Sequence, residues 1–384
     1  MNFMHRIWIL APLLLAACAR RDAPPPLPRV VPPPPPEERA LIFQEDFRQR
    51  RLPVDGPIRR GPYVQAVGTT QATICFETVD RVLGKVTCDG KTVMSAPGLR
   101  HEIELQGLKP GTRYAYTMQP GDITASFKTA PGPDGDVFFL AWGDSRTYHD
   151  RLARVAALAA KDLADFSVHT GDLVDEGTVE EDWDHFFESA KPLLRTGALW
   201  PSMGNHEHGA KLYFDLFVLP PPEGWYEFTA GPAQFFILES NWDLRKEPKQ
   251  IAWFAEALRK STARFRFVVT HHPLVSCPDD DFVFDKESSM YGLYGKLIEE
   301  GKVTAVLQGH NHNYQRAERK GVLYITTGGS GAPLYSVGDL TPETKFAREV
   351  HHYVRVRLSG RTMTLEAVDW NGQVIDRDER VVGP

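Results

Sequence analysis

Five short polar clusters stand in one order along the chain: Gly143-Asp144, Gly171-Asp172, Gly204-Asn205-His206, His271-His272 and Gly309-His310-Asn311-His312. Each follows an apolar run of strand character. Carboxylate, amide oxygen and imidazole are ligands for hard and borderline metal ions, and strand ends deliver such groups to the mouth of a sheet. One carboxylate can bridge two ions, and Asp172 is assigned that place. Two ions sharing a hydroxide is a device for hydrolysing a phosphate ester. A lone Gly-Asp is an ordinary turn or helix cap, and Asn before His is more often a turn residue. Their recurrence ahead of the Gly-His-Asn-His run favours the metal reading.

Within that reading Asn205 is a neutral ligand through its side-chain oxygen. His206 points elsewhere and donates a proton to the leaving oxygen or stabilises charge on the phosphoryl group. Glu207 is placed to hold the His206 ring by a hydrogen bond. Adjacent side chains on a strand face opposite ways, so one of His271 and His272 meets the metals, and His271 is chosen. His310 and His312, two apart, lie on one side of an extended segment.

The elements that must position these groups follow from periodicity. Apolar strands are expected at Val137 to Trp142, Phe166 to His169, Ala198 to Met203, Phe235 to Glu239, Phe265 to Thr270 and Val303 to Leu307. Helices are expected over Asp150 to Leu163, Val179 to Ser189 and Ile251 to Lys260. The tail from Tyr353 to Ile375 alternates like antiparallel strands and is expected to complete a second sheet. Strand–helix alternation gives an α/β (α+β) two-sheet sandwich flanked by helices over residues 131–384. Residues 57–130 carry short β-branched and aromatic runs punctuated by Gly, Pro and Asp, which reads as a small all-β sandwich domain.

The N-terminus reads as an export signal over residues 1–17. Arg6 precedes the apolar run Ile7 to Leu15, which is too short to span a bilayer. Leu15-Ala16-Ala17-Cys18 resembles the lipobox of bacterial lipoproteins, which implies acylation of Cys18 and a membrane lipid anchor. Ala19 after the cysteine implies an outer-membrane destination. Pro24 to Pro36 is nearly all proline, so residues 18–56 are read as an extended tether without helix or sheet pairing. Cys75 and Cys88 could bridge in an oxidising compartment or stay as two buried thiols; Cys277 is left over. The net charge of −6 lacks the basic surplus of nucleic-acid binders, and none is expected as a partner.

The five clusters resemble the calcineurin-like metallophosphoesterase superfamily, and its purple acid phosphatase branch most closely. The similarity extends over Tyr324 to Ala332, and Gly107 to Tyr116 is similar to the late-strand corner of fibronectin III-like domains. The resemblance implies two metal ions (Fe, Zn or Mn) and a small phosphate-ester substrate. Asp144, Asp172 and His312 would be first-metal ligands; Asp172, Asn205, His271 and His310 second-metal ligands; His206 the general acid. Many superfamily members have His two residues after the first Asp, where this chain has Arg146. Purple acid phosphatases have Tyr three residues after the second Asp, where this chain has Asp175. A colourless protein is therefore expected. Asp175 or a water could fill the gap, and Arg146 either contacts phosphate through its planar fork or pairs with Asp175. A phosphate monoester is the leading substrate, with a phosphodiester or nucleotide as the enzymatic rival. A surface-tethered binding protein with a degraded metal site is the rival from another class. His149, His208, His351 and His352 are weaker candidates.

Overall fold

The computed structural model describes the backbone of Arg29–Val30 and residues 56–241, 246–277 and 289–383. The expected signal segment, Cys18, and the tether apart from Arg29–Val30 and Gly56 lie outside the described residues. In chain order the strands of the first part are β1 (Arg29–Val30), β2 (Ile58–Gln65), β3 (Gln71–Val82), β4 (Lys85–Cys88), β5 (Lys91–Met94), β6 (Gly98–Gln106), β7 (Arg113–Gln119) and β8 (Ile123–Lys128). The second part begins with β9 (Val137–Trp142), α1 (His149–Ala159), β10 (Phe166–His169), α2 (Glu180–Leu194), β11 (Ala198–Pro201) and the short α3 (Lys211–Leu216). It continues with β12 (Tyr226–Ala230), β13 (Ala233–Ile237), α4 (Pro248–Lys260), β14 (Phe265–Thr270), α5 (Met290–Glu300), β15 (Ala305–Gln308), β16 (Tyr314–Arg319), β17 (Val322–Thr327) and β18 (Thr344–Arg348). The tail supplies β19 (His352–Ser359), β20 (Thr362–Asp369) and β21 (Val374–Val381).

Two large sheets carry the site. One has nine strands in the order β21-β20-β19-β9-β10-β11-β2-β3-β6; the other has eight, β1-β18-β16-β17-β15-β14-β13-β12. Their parallel centres, β9-β10-β11 and β13-β14-β15, face each other. Phe139 of β9 lies edge-on to Phe235 of β13 at 5.0 Å and to Phe267 of β14 at 5.2 Å. Each such fully buried ring contributes about 1.5–3 kcal/mol. On the outer face of the eight-stranded sheet, α4 and α5 bury Phe254, Leu258, Met290, Tyr294 and Ile298 against Phe236, Val268 and Val306. Helix α4 starts where its sequence says it should: Pro248 opens it and the Glu247 side chain caps the Lys249 N–H.

Three expectations change. The tail does not complete the second sheet; β19 pairs antiparallel with β9 and widens the first. Helix α2 runs past Ser189 through Pro192 to Leu194, because Ala190, Leu193 and Leu194 continue its buried stripe and outweigh one lost backbone bond. The proline-rich segment is not free of pairing: Arg29 and Val30, which have N–H groups where proline has none, lie parallel to β18.

The N-terminal strands divide. β5-β4-β7-β8 form a four-stranded sheet, whereas β2, β3 and β6 belong to the nine-stranded one, joined where Val64 pairs with Ala198. The buried Arg60 guanidinium binds Glu77 of β3 and ties this edge to α2 through Glu180 and Asp184. Cys75 and Cys88 are free, buried thiols, as is Cys277, and burial pushes all three thiol pKa values up.

Candidate metal centre

The sequence clusters were expected at the mouth of one sheet. They meet instead between two. Asp144, Asp172 and Asn205 follow β9, β10 and β11, whereas His271 and His310 follow β14 and β15 of the opposite sheet. Backbone bonds cross-brace the loops: Asp144 N–H to Gly171 O, Ser145 N–H to Asp172 O and Gly309 N–H to His271 O, each 2.9 Å. Asp144 (φ 53°), Asp172 (φ 55°) and His310 (φ 69°) sit in the left-handed region, which costs side-chain-bearing residues about 1–3 kcal/mol each and gathers at functional sites. The flanking glycines are needed for space. A Cβ on Gly204 would come 2.2 Å from Asp172 Oδ1, and one on Gly309 would come 2.7 Å from Asp144 Oδ2.

Asp144, Asp172 and His271 are buried and each offers an atom within 4.8 Å of the others. His271 Nδ1 lies 2.9 Å from the Thr170 carbonyl, which can only accept, so Nδ1 carries the proton. Burial pushes the His271 pKa down to about 3 and keeps the ring neutral. Its Nε2 lone pair therefore faces Asn205 Oδ1 at 2.9 Å and Asp172 Oδ1 at 3.4 Å, both acceptors. His310 Nδ1 closes on the same nitrogen at 3.2 Å. His312 repeats the arrangement: Nδ1 donates to Pro333 O at 2.7 Å and Nε2 is turned to Asp144 Oδ1 at 3.4 Å. Acceptors converging on acceptors are unfavourable alone and favourable around cations. The donor set of carboxylate, amide oxygen and imidazole fits Fe, Zn or Mn.

His206 stands at the rim, its side chain 27 % exposed. Its N–H donates to Asp172 Oδ1 at 3.1 Å, and Nδ1 donates to the Asp175 carbonyl at 2.7 Å. Glu207 does not hold that ring, contrary to expectation. Its buried carboxylate accepts from Gly204 N–H (2.6 Å) and Asp172 N–H (3.0 Å) on one oxygen, and from Leu173 N–H (2.8 Å) and Val174 N–H (3.3 Å) on the other. Burial pushes its pKa up, and the nearby Asp172 carboxylate adds to that; the backbone donors oppose both. Arg146 lies 3.4 Å from both Asp172 Oδ2 and Asp175 Oδ1. Asp175 is further held by the Thr147 hydroxyl at 2.6 Å.

Two residues join the site that were not expected there: His272, set aside in favour of His271, and Tyr335. His272 belongs with His271 and His310, one ring nitrogen of each lying within 4.8 Å of the others. Tyr335 stacks on His312, ring centroids 3.9 Å apart, and is 44 % exposed. The doubled histidine was a signal for the first; nothing in the local sequence marked the second. Of the weaker histidines, His208 pairs with Glu176 at 3.2 Å at the surface, and His149 stacks on His185 between α1 and α2. His351 and His352 are buried, which lowers both pKa values to about 4.

This arrangement has relatives. Residues 121–314, just over half of the chain, match the calcineurin-like phosphoesterase family. Purple acid phosphatase 21 of Arabidopsis thaliana is 26 % identical over 260 residues, which cover 61 % of this chain and 59 % of that protein. The chain thus spans about three fifths of the length of such relatives. Among solved structures, the purple acid phosphatase PPD1 from yellow lupin (Lupinus luteus) seeds superposes with a TM-score of 0.72 at 17 % identity, covering 85 % of this chain and 74 % of that one. A structure of PhoD gives 0.66 at 13 % identity, covering 85 % and 90 %. With the family matched over residues 121–314, a span that contains all five polar clusters, the chain belongs to the calcineurin-like phosphoesterases.

Proposed function

We propose that this chain is a metal-dependent phosphatase that hydrolyses phosphate monoesters. The observation that carries the reading is the buried meeting of Asp144, Asp172 and His271, with the His271 Nε2 lone pair turned to Asp172 Oδ1. Asp144, Asp172 and His312 would hold one ion; Asp172, Asn205, His271 and His310 would hold the other. Bound there, two ions would supply Lewis acidity, neutralising phosphoryl oxygens and making a water nucleophilic near neutral pH. The His206 ring is oriented by its Nδ1–H bond to Asp175 O, which leaves Nε2 at the rim to carry a proton to the departing oxygen. Arg146, between Asp172 and Asp175, presents a planar cation that can share two phosphoryl oxygens. The monoester preference is supported by the likeness to purple acid phosphatases.

The same reading extends to the ends of the chain. Cys18 is proposed as an acylated anchor in the outer membrane, and residues 57–130 as a fibronectin III-like packing module ahead of the catalytic domain.

The test is the metal content of the protein by elemental mass spectrometry after reconstitution with iron, zinc or manganese, followed by hydrolysis of an aryl phosphate monoester and its diester. Two ions and faster monoester cleavage are expected. Faster diester cleavage would replace the monoester assignment, and absence of bound ions would overturn the hydrolase.

A further inference from the structure

The structure also gives His272 a role, within the phosphoesterase reading just stated. Ser240 is fully buried, and its Oγ accepts the His272 backbone N–H at 2.9 Å. The same oxygen lies 3.1 Å from His272 Nδ1. A buried hydroxyl must also donate. Among the described residues, the acceptor within reach of the Ser240 hydroxyl is His272 Nδ1. Nδ1 is therefore the lone-pair nitrogen, and the ring proton sits on Nε2. This is the opposite tautomer from His271, whose proton is on Nδ1 facing Thr170 O. The two neighbours differ in chemistry for that reason: His271 turns a lone pair to the ion ligands, whereas the His272 ring carries its proton on Nε2.

That N–H belongs to a ring whose centroid is 4.6 Å from His310 and 4.9 Å from His271. A donor beside two groups that would hold the second ion suits an oxygen bound at that ion rather than the ion itself. We infer that His272 is a substrate-contacting residue, whose Nε2–H donates to a phosphoryl oxygen of the bound ester, and that Ser240 sets the tautomer that makes it a donor.

The experiment compares the full chain with His272→Ala, His272→Gln and Ser240→Ala. Each is measured for metal content, for kcat and KM on an aryl phosphate, and for inhibition by inorganic phosphate. Loss of one hydrogen bond to a charged oxygen predicts that His272→Ala weakens phosphate inhibition and kcat/KM about 10- to 100-fold. Metal content should stay at the wild-type value. Gln places an N–H near the Nε2 position and should restore most of the loss, and Ser240→Ala should fall between. Loss of an ion in His272→Ala would make it a ligand and overturn the donor role. Wild-type inhibition in His272→Ala, or no rescue by Gln, would also overturn it. A wild-type protein that neither hydrolyses phosphate esters nor is inhibited by phosphate would sink the phosphoesterase reading, and this inference with it.

Discussion

Replacing Glu207 by glutamine should unfasten the metal loops. One Glu207 oxygen takes the N–H groups of Asp172 and Gly204, and the other takes those of Leu173 and Val174. A glutamine keeps one acceptor oxygen. Its NH₂ must face the other pair of N–H donors, so two buried backbone donors lose their partner whichever way the amide turns. An unsatisfied buried donor costs about 1–3 kcal/mol, which gives roughly 2–6 kcal/mol for the substitution. That is a large share of the ~5–15 kcal/mol by which folded domains are stable. The affected groups belong to the candidate ligand segment itself, since Asp172 and the residue before Asn205 both donate to this carboxylate. Urea denaturation should therefore show the loss, and elemental mass spectrometry should show weaker ion retention. A denaturation free energy within about 0.5 kcal/mol of wild type, the range of neutral surface changes, would refute the reasoning.

Three further outcomes are expected. His206→Asn should lower kcat about 10²- to 10⁴-fold on esters with poor leaving groups and much less on nitrophenyl esters, with ion content unchanged; an equal loss on both would remove its role as acid. The iron-loaded protein should show no strong visible absorption band, because Asp175 stands where the purple branch has tyrosine; a band abolished by Tyr335→Phe would show that a phenolate from another loop serves instead. Acid should destabilise the fold through its buried neutral histidines. His169, held with Gly171 N–H on Nδ1 and Nε2 on Ser145 Oγ, is pushed down to about 3 by burial. A lowered folded pKa means the unfolded chain binds more protons, so this stability is complete above about pH 6.5 and declines toward pH 3, by about 1.4 kcal/mol per unit for each such site. His169→Gln should flatten that slope in denaturation curves taken between pH 7 and 4, and an unchanged slope would count against it.

The local features of this chain were legible because they are local. Val137–Trp142, Phe166–His169 and Phe265–Thr270 were placed to the residue from their apolar runs, and the polar clusters after them are where the site forms. Sheet membership was not legible. Which strand lies beside β9 depends on non-local pairing, and the alternation of the tail is equally compatible with either sheet. β5, with its exposed Lys-Thr-Val-Met sequence, carries no buried stripe to read. The choice between His271 and His272 rested on strand alternation, yet both follow the last residue of β14, where alternation has ended. Ser240 and Thr170, which fix their two tautomers, are 32 and 101 positions away in sequence.

The centre is built from choices that oppose folding when taken singly. Three site residues adopt left-handed backbone conformations, two buried carboxylates lie within reach of each other, and a neutral imidazole turns its lone pair to oxygen atoms. Each choice brings an acceptor closer to the others. The bracing that holds them comes from groups with no part in ligation: Glu207 across two loops, the backbone bonds between the Asp144 and Asp172 loops, and the His169–Ser145 pair beneath them. Ions bound among these acceptors would relieve the repulsion only in the folded chain, so ion affinity and fold stability must be linked. The linkage sets a sign: a substitution that loosens the bracing should lower ion affinity and stability together, and one that removes a ligand carboxylate should lower ion affinity while relieving part of the strain. Glu207→Gln and Asp172→Asn, compared by denaturation with and without a chelator, separate those two cases.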